Sequence, residues 1–305
     1  MTQVMIFGSN GQDGRCLTEL LQKQGIEVVG ISRSSGVDLC HSDSIAELLK
    51  THQPSQVYYL AAFHHSSDQK IDSEVTLWDQ SIKTHLTAPT LILENIRQIC
   101  PETRFFYASS SLVFGGASGK LSESTPRDPD SPYGITKAAG MNVCRYYRER
   151  YGLFASSGIL FNHESEFRAP KFLTKKIVLA VLAIQKGSSE RLKLGSLSAQ
   201  VDWGYARDYV EAMTLILKHE TADDFVISSG ELHSVRQFVE LAFSKAGLDY
   251  SKFVDEDPLL LQRVLPSRLG DFSKLRSLTG WTPKTSFDKL IEILLVSEGV
   301  QIVRK

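Results

Sequence analysis

The chain has 305 residues, 42% of them hydrophobic, and 34 Lys and Arg against 35 Asp and Glu give a formal net charge of −1. That is long enough for one large α/β domain or for a domain with a substantial appendage, and the balanced charge gives no reason to expect a nucleic acid or a membrane as partner. Cys16, Cys40, Cys100 and Cys144 lie far apart with no CxxC and no histidine at metal-ligand spacing, which argues against zinc and against a disulfide framework and fits a reducing cytoplasm.

The opening "MTQVMIFGSNGQDG" runs directly into a strand and a turn and leaves no room for a signal peptide. Apolar runs such as "IVLAVLAI" are too short to span a bilayer. Strands are expected in order at "VMIF", "EVVGIS", "QVYYLAA", "RFFYAS" and "LFASSGIL", with helical stretches beginning near Gln12, Asp43, Ser73, Pro132 and Pro170. Asp43 or Ser44 is the expected N-cap of "SIAELLK", and "RYYRERYG" reads as a solvated helix face. This alternation predicts an α/β, Rossmann-type doubly wound parallel sheet with its ligand crevice at the carboxyl ends of the strands. Beyond about residue 165 the pattern is mixed: short strands ("RLKLGS", "DFVISS") and helices ("RDYVEAMTLILKH", "VRQFVELAFSKAG", "FDKLIEILLVSEG"). The expected division is 1–165 for the sheet domain, whose sheet can recruit later segments, and 166–305 for a smaller mixed α/β lobe.

Gly8, Gly11 and Gly14 in "GSNGQDG" stand between the first strand and the first helix. Glycines there permit a tight turn and close approach of backbone to a pyrophosphate, and the helix offers free N–H groups to it. At the end of the second strand "ISRSS" supplies Arg33, Ser34 and Ser35 where an acidic residue would accept the ribose hydroxyls of NAD. Arginine and hydroxyls suit a 2′-phosphate, so NADP(H) is favoured, with NAD as the alternative.

In "SPYGITKAAG", Tyr133 and Lys137 are four residues apart, one turn apart on the same helix face. A nearby ammonium is expected to lower the phenol's pKa and let tyrosine exchange a proton with an alcohol as hydride moves to or from nicotinamide. Together with "ASSS" at the end of another strand, these motifs place the chain beside a known family. It resembles the extended short-chain dehydrogenases/reductases of the epimerase/dehydratase type that act on nucleotide sugars, and within them the GDP-mannose 4,6-dehydratases. The likeness is densest in "RERYGLFASSGILFNHES", "DWGYARDYVEAM", "FVISSGELHSVRQFVELAF" and "GWTPKTSF".

The resemblance implies roles for particular residues. Tyr133, Lys137 and Ser110 match the catalytic tyrosine, lysine and hydroxyl, with serine in place of threonine. Gly8, Asn10, Gly11, Gln12, Asp13, Gly14, Arg33 and Ser34 fall on the cofactor loop and second-strand end, and Asp38 and Leu39 fall where the adenine is held. Leu60, Ala61, Ala62 and His64 line the cofactor's central portion, and Leu160, His163 and Arg168 complete its site. Ser109, Ser110 and Asn162 face the sugar, and Lys176, Arg236 and Arg263, with Lys175, are candidates for the diphosphate clamp. The substrate implied is a nucleotide-diphosphate sugar, GDP-linked, and the helices near 76–98 and 132–150 imply a homodimer or homotetramer.

Three departures qualify the match. A 4,6-dehydratase needs a base for the C5 proton, a glutamate two residues after the catalytic hydroxyl, and that position is Leu112. The arginine-rich loop after the second strand shrinks to "RSSGVDL", and the arginine expected before "DWG" is Val201. The residues therefore favour NADPH-dependent reduction of a 4-keto GDP-sugar at C4, or C4 epimerisation with the same groups. The alternatives are a dehydratase whose base has moved to Glu164 or Glu166, and an NADP-binding regulatory paralogue.

Overall fold

The computed structural model describes residues 3–64, 73–260 and 266–303. Its strands begin with β1 (Gln3–Phe7), β2 (Glu27–Ile31), β3 (Gln56–Tyr59), β4 (Arg104–Ala108), β5 (Gly119–Leu121), β6 (Ala155–Leu160) and β7 (Asn162–Glu164). They continue with β8 (Leu192–Leu194), β9 (Gln200–Tyr205), β10 (Asp224–Ile227), β11 (Leu232–Ser234), β12 (Val254–Glu256) and β13 (Arg268–Gly270). The helices are α1 (Gln12–Lys23), α2 (Ser42–His52), α3 (Glu74–Ile82), α4 (Ala88–Ile99) and α5 (Pro132–Tyr151). After them come α6 (Leu173–Gln185), α7 (Ala206–Lys218), α8 (Val235–Lys245), α9 (Ser273–Thr279) and α10 (Phe287–Ser297).

The central sheet has the order β10-β6-β4-β3-β1-β2, and every pairing in it is parallel. Strands buried on both faces carry continuous apolar runs, which is why "VMIF", "QVYY" and "RFFYA" lack a polar alternation. One face packs Ile45, Ile92, Ile96, Met141 and Cys144 from α2, α4 and α5, and the other packs Leu17, Leu21, Met213, Ile216 and Leu275 from α1, α7 and α9. A third core, with Ile177, Val181, Phe238, Val239, Leu290 and Ile291, joins α6, α8 and α10.

The edge strand β10, from "DFVISS", and helix α7, from "RDYVEAM", belong to the layers of the central sheet. The chain therefore leaves that sheet after β6 and returns to it. Helix α2 begins at Ser42 with His41 as N-cap, not Asp43 or Ser44. Asp43 instead lies in the first turn, where its charge meets the positive end of the dipole. The helix expected near Pro170 starts at Leu173. The segment "RYYRERYG" is only partly solvated: Tyr147 is buried, and Arg148 donates to Ala155 O at 2.9 Å and pairs with Asp224 at 3.5 Å. Among the described residues, no helix is long and apolar enough to cross a membrane, and no cluster of three or more His, Cys, Asp or Glu could hold a metal ion.

Candidate active site

β1 and β3 are neighbours in the sheet although β2 lies between them in sequence, so the winding reverses there and opens a crevice at the strand ends. Gly8 follows β1 with φ +91°, and a Cβ on it would lie 2.7 Å from Ala61 N. A Cβ on Gly14 would lie 2.3 Å from Gly8 O. A side chain on Gly8 would strike the backbone of Leu60 and Ala61, and one on Gly14 would strike Gly8 and Ser9, so the glycines let the loop, the end of β3 and α1 close together into a cradle. Helix α1 starts at Gln12, so its unpaired N–H groups and positive dipole end adjoin the same cradle. Gln12 Oε1 is buried and meets no hydrogen-bond partner among the described residues. A closely packed glycine loop, a helix N-terminus and an orphaned polar atom together fit a dinucleotide.

At the end of β2, Asn10 Nδ2 donates to Ser32 Oγ at 3.0 Å and to Ser34 Oγ at 3.3 Å, beside the exposed Arg33. Asp38, the next acidic residue, is turned onto its own loop, where Oδ1 accepts from Cys40 N at 2.8 Å. Leu39 packs against the core of that side.

The catalytic candidates meet where β4 and α5 approach. Ser131 caps α5, accepting from Gly134 N at 3.3 Å, and Pro132 at the first position leaves no N–H unsatisfied. Tyr133 thereby stands in the first turn of the helix. Its phenol lies near the Ser110 hydroxyl, which acts to lower its pKa, and Ser110 Oγ accepts from Leu112 N at 3.2 Å. Ser109 Oγ is buried without a partner among the described residues.

Lys137 is 1% exposed, with Nζ donating to Ala108 O at 2.6 Å and lying 5.7 Å from the Tyr133 ring centroid. Burial pushes its pKa down to about 7, with the Asp13 charge opposing. The expected lowering of the Tyr133 phenol by this ammonium is not what the structure shows. Burial pushes the phenol up, and the lowering contributions come from the Arg168 charge and the Ser110 hydroxyl. The physical reason is burial, which disfavours the charged phenolate more than the nearby positive charge favours it.

Asp13 and His163 face each other. His163 Nε2 meets Asp13 Oδ1 at 2.9 Å, Nδ1 donates to Phe161 O at 2.7 Å, and the ring stacks on Tyr209 with centroids 4.6 Å apart. Burial lowers His163, but the Asp13 charge, the Asp13 hydrogen bond and the Phe161 carbonyl outweigh it and the net shift is upward. Burial raises Asp13, and the charge and hydrogen bond of His163, with Arg168, reverse that to a net lowering. Both shifts favour the ion pair. Gln12 Nε2 donates to His163 O at 3.0 Å, so the glycine loop is tied to the segment after β6.

Both carboxylates that could replace the missing base are committed elsewhere. Glu164 is 3% exposed and accepts from Thr174 Oγ1 at 2.7 Å, while its Oε2 pairs with Arg168 Nε at 3.0 Å. Glu166 is clamped by Arg207, which also holds Glu19 at 2.8 Å. The clamp candidates divide in the same way. Lys175 is buried and bound to Glu166 O and Glu298, so it is not free for a diphosphate. Arg236 is 3.5 Å from Glu256 and 3.3 Å from Tyr250 Oη, and Lys176 stands on α6. Arg263 lies outside the described residues. Asn162 is exposed on β7, and Leu160 ends β6.

The sequence reading passed over His85 and Thr136. Their side chains meet at 2.8 Å beside Tyr133, and the only sequence signal was the three-residue spacing of Thr136 from Tyr133 on α5.

Comparison with known proteins agrees with this geometry. Residues 35–294 match the family model described as GDP-mannose 4,6 dehydratase. GDP-mannose 4,6 dehydratase 2 of Arabidopsis thaliana is 34% identical, over 99% of this chain and 87% of its own. The human GDP-mannose 4,6 dehydratase is 32% identical over 98% of this chain and 92% of its own. Among solved structures, RMD from Pseudomonas aeruginosa complexed with NADPH superposes with a TM-score of 0.85 at 20% identity, covering 97% of this chain and 99% of that one. The Thermus thermophilus UDP-glucose 4-epimerase complex with NAD gives 0.82 at 23%, covering 98% and 99%. The chain belongs to the GDP-mannose 4,6-dehydratase family, within the NAD-dependent epimerase/dehydratase group of extended short-chain dehydrogenases/reductases. It is an enzyme that modifies nucleotide sugars.

Proposed function

We propose that the protein reduces a 4-keto nucleotide sugar, GDP-linked, at C4 with NADPH, and does not carry out the elimination that defines the family. The observation that carries this reading is the fate of the carboxylates. The position of the family's base is Leu112, and Glu164 and Glu166 are both held in ion pairs. A base must come within hydrogen-bond reach of the proton it removes, and Glu164, which is buried, and Glu166, which is partly exposed, already hold Arg168 and Arg207.

Reduction asks for less. NADPH, when bound, supplies the hydride. Ser110 would donate to the oxygen at C4 and orient the carbonyl, and Tyr133, which lies near Ser110, would deliver the proton to that oxygen. The upward shift of the phenol keeps Tyr133 protonated and able to donate at neutral pH. Lys137, held by Ala108 O, would fix the electrostatics beneath it. Asn10, Ser32, Ser34 and Arg33 at the end of β2 support NADP(H) over NAD, because hydroxyls and a guanidinium can bind a 2′-phosphate. A homo-oligomer built through the faces of α4 and α5, and a cytoplasmic location, complete the proposal.

The test is absorbance at the NADPH band with the pure protein, NADPH and GDP-4-keto-6-deoxymannose. Loss of one NADPH per keto sugar is expected. Tight NADPH binding without turnover on a panel of keto sugars would favour a regulatory role.

A further inference from the structure

A single π-helical turn, Lys83–Thr87, joins α3 to α4, and π turns within helices are frequent at functional positions. His85 lies in that turn and is fully buried. Its Nε2 accepts from Phe63 N at 3.0 Å, so in the neutral ring the proton sits on Nδ1, which donates to Thr136 Oγ1 at 2.8 Å. Thr136 Oγ1 in turn donates to Pro132 O at 2.7 Å. The chain of bonds thus runs from the segment after β3, which walls the glycine cradle, to the first turn of α5, which carries Tyr133.

The contact is also direct. The His85 ring meets Tyr133 edge-on, with centroids 5.0 Å apart and planes at 80°, and His64 meets it edge-on at 5.0 Å and 79°. The His85 carbonyl accepts from Tyr107 Oη at 2.9 Å, and the Tyr107 ring centroid is 5.0 Å from Lys137 Nζ. One residue of the π turn therefore touches the supports of both Tyr133 and Lys137. A charged group here would be buried beside Lys137. Burial and the Lys137 charge push His85 down to about 2, so the ring stays neutral.

We propose that His85 is a positioning residue for Tyr133: its imidazole, bridging Phe63 N–H and Thr136 Oγ1, fixes the phenol relative to the cofactor-lining segment Leu60–Phe63. The proposal rests on Tyr133 being the proton donor of the reaction proposed above. Nothing in it requires His85 to touch the sugar or to transfer a proton.

The test compares His85→Leu, Thr136→Val, the double variant and His85→Gln by two readouts. The first is the ring resonance of Tyr133 in protein carrying 13C-labelled tyrosine, assigned with Tyr133→Phe. His85→Leu should move or broaden that resonance, and Thr136→Val should move it in the same direction. The second is kinetics of keto-sugar reduction. His85→Leu should lower kcat about 10- to 100-fold, the scale of a displaced reacting group, with the sugar KM within about threefold. The double variant should be no worse than His85→Leu alone, because both substitutions cut one chain of bonds. His85→Gln, which keeps a donor and an acceptor, should recover part of the loss.

An unmoved Tyr133 resonance, or losses that multiply in the double variant, would overturn the proposal. If His85→Leu does not fold, Thr136→Val decides by the resonance alone, since it removes one hydroxyl from a residue whose backbone is helical. If the wild-type protein reduces no keto sugar, the reductase reading fails, while the Tyr133 resonance still decides the role of His85.

Discussion

Tyr133 and Lys137 share two turns of α5, and burial moves their pKa values in opposite directions, the phenol up and the ammonium down to about 7. The phenol thus stays protonated at neutral pH, and the buried ammonium gives up its proton more readily than an ordinary lysine. Replacing Tyr133 by Phe is expected to lower turnover by about 10²- to 10⁴-fold, the usual worth of a positioned acid, with NADPH binding retained. Fluorescence titration alongside steady-state rates checks both halves. Lys137 also carries a stability cost with a definite pH dependence. Its folded value lies below the ordinary lysine value of about 10.4, so the unfolded chain holds the proton more tightly between the two. The cost is full below about pH 7 and fades as pH rises towards the ordinary value. Lys137→Met should therefore abolish turnover yet raise the melting temperature at pH 6, and a lower melting temperature would contradict this.

The Asp13–His163 pair gives the opposite profile at the acid and neutral ends. Asp13 is lowered, so its contribution is present above the ordinary aspartate value, about 3.9, and is lost as pH falls through the folded value. His163 is raised, so its contribution is full below about 6.5 and is lost as pH rises through its folded value. The pair is strongest between those two limits. Asp13→Asn should cost about 2 kcal/mol at pH 5.5, the scale of a charged hydrogen bond, and less at pH 9, as read by urea unfolding.

At the scale of elements, strands and helices with local signals were readable in advance. The continuous apolar runs of β1, β3 and β4 and the Ser131-Pro132 start of α5 need no distant partner to be recognised. The π turn at His85 was not readable, because nothing in "IKTHLTAP" distinguishes it from ordinary helix. The ties of Glu166 to Arg207 and of Asp13 to His163 were equally hidden: each needs the fold to bring its partners together. Asp202 is a third such case. Its carboxylate accepts from Ser229 N at 2.8 Å, Ser229 Oγ at 2.6 Å, Gly230 N at 3.2 Å and Gly270 N at 3.0 Å, joining β9, β13 and the loop after β10. Asp202→Ala would leave buried donors unsatisfied and should destabilise by about 3 to 5 kcal/mol, measurable in the denaturant midpoint, with an effect under about 1 kcal/mol counting against the network.

For the whole molecule, β10 and α7 return to the central sheet, so residues from both halves of the chain pack into the layers that carry the glycine cradle. Binding to the folded state alone should therefore stabilise the entire chain. NADPH at about 100 times its Kd should add about 2.7 kcal/mol, and NADH at the same concentration less, if the Asn10, Ser32 and Ser34 cluster recognises a 2′-phosphate. Under the proposed reduction, Leu112 leaves elimination without its base, while Ser110 and Tyr133 would supply the groups needed at C4. The most direct measurement uses GDP-mannose deuterated at C5, incubated with the protein and NADP, followed by mass spectrometry. Full retention of the C5 label and no product lighter by one water are expected; loss of that label together with loss of water would contradict the proposed reduction.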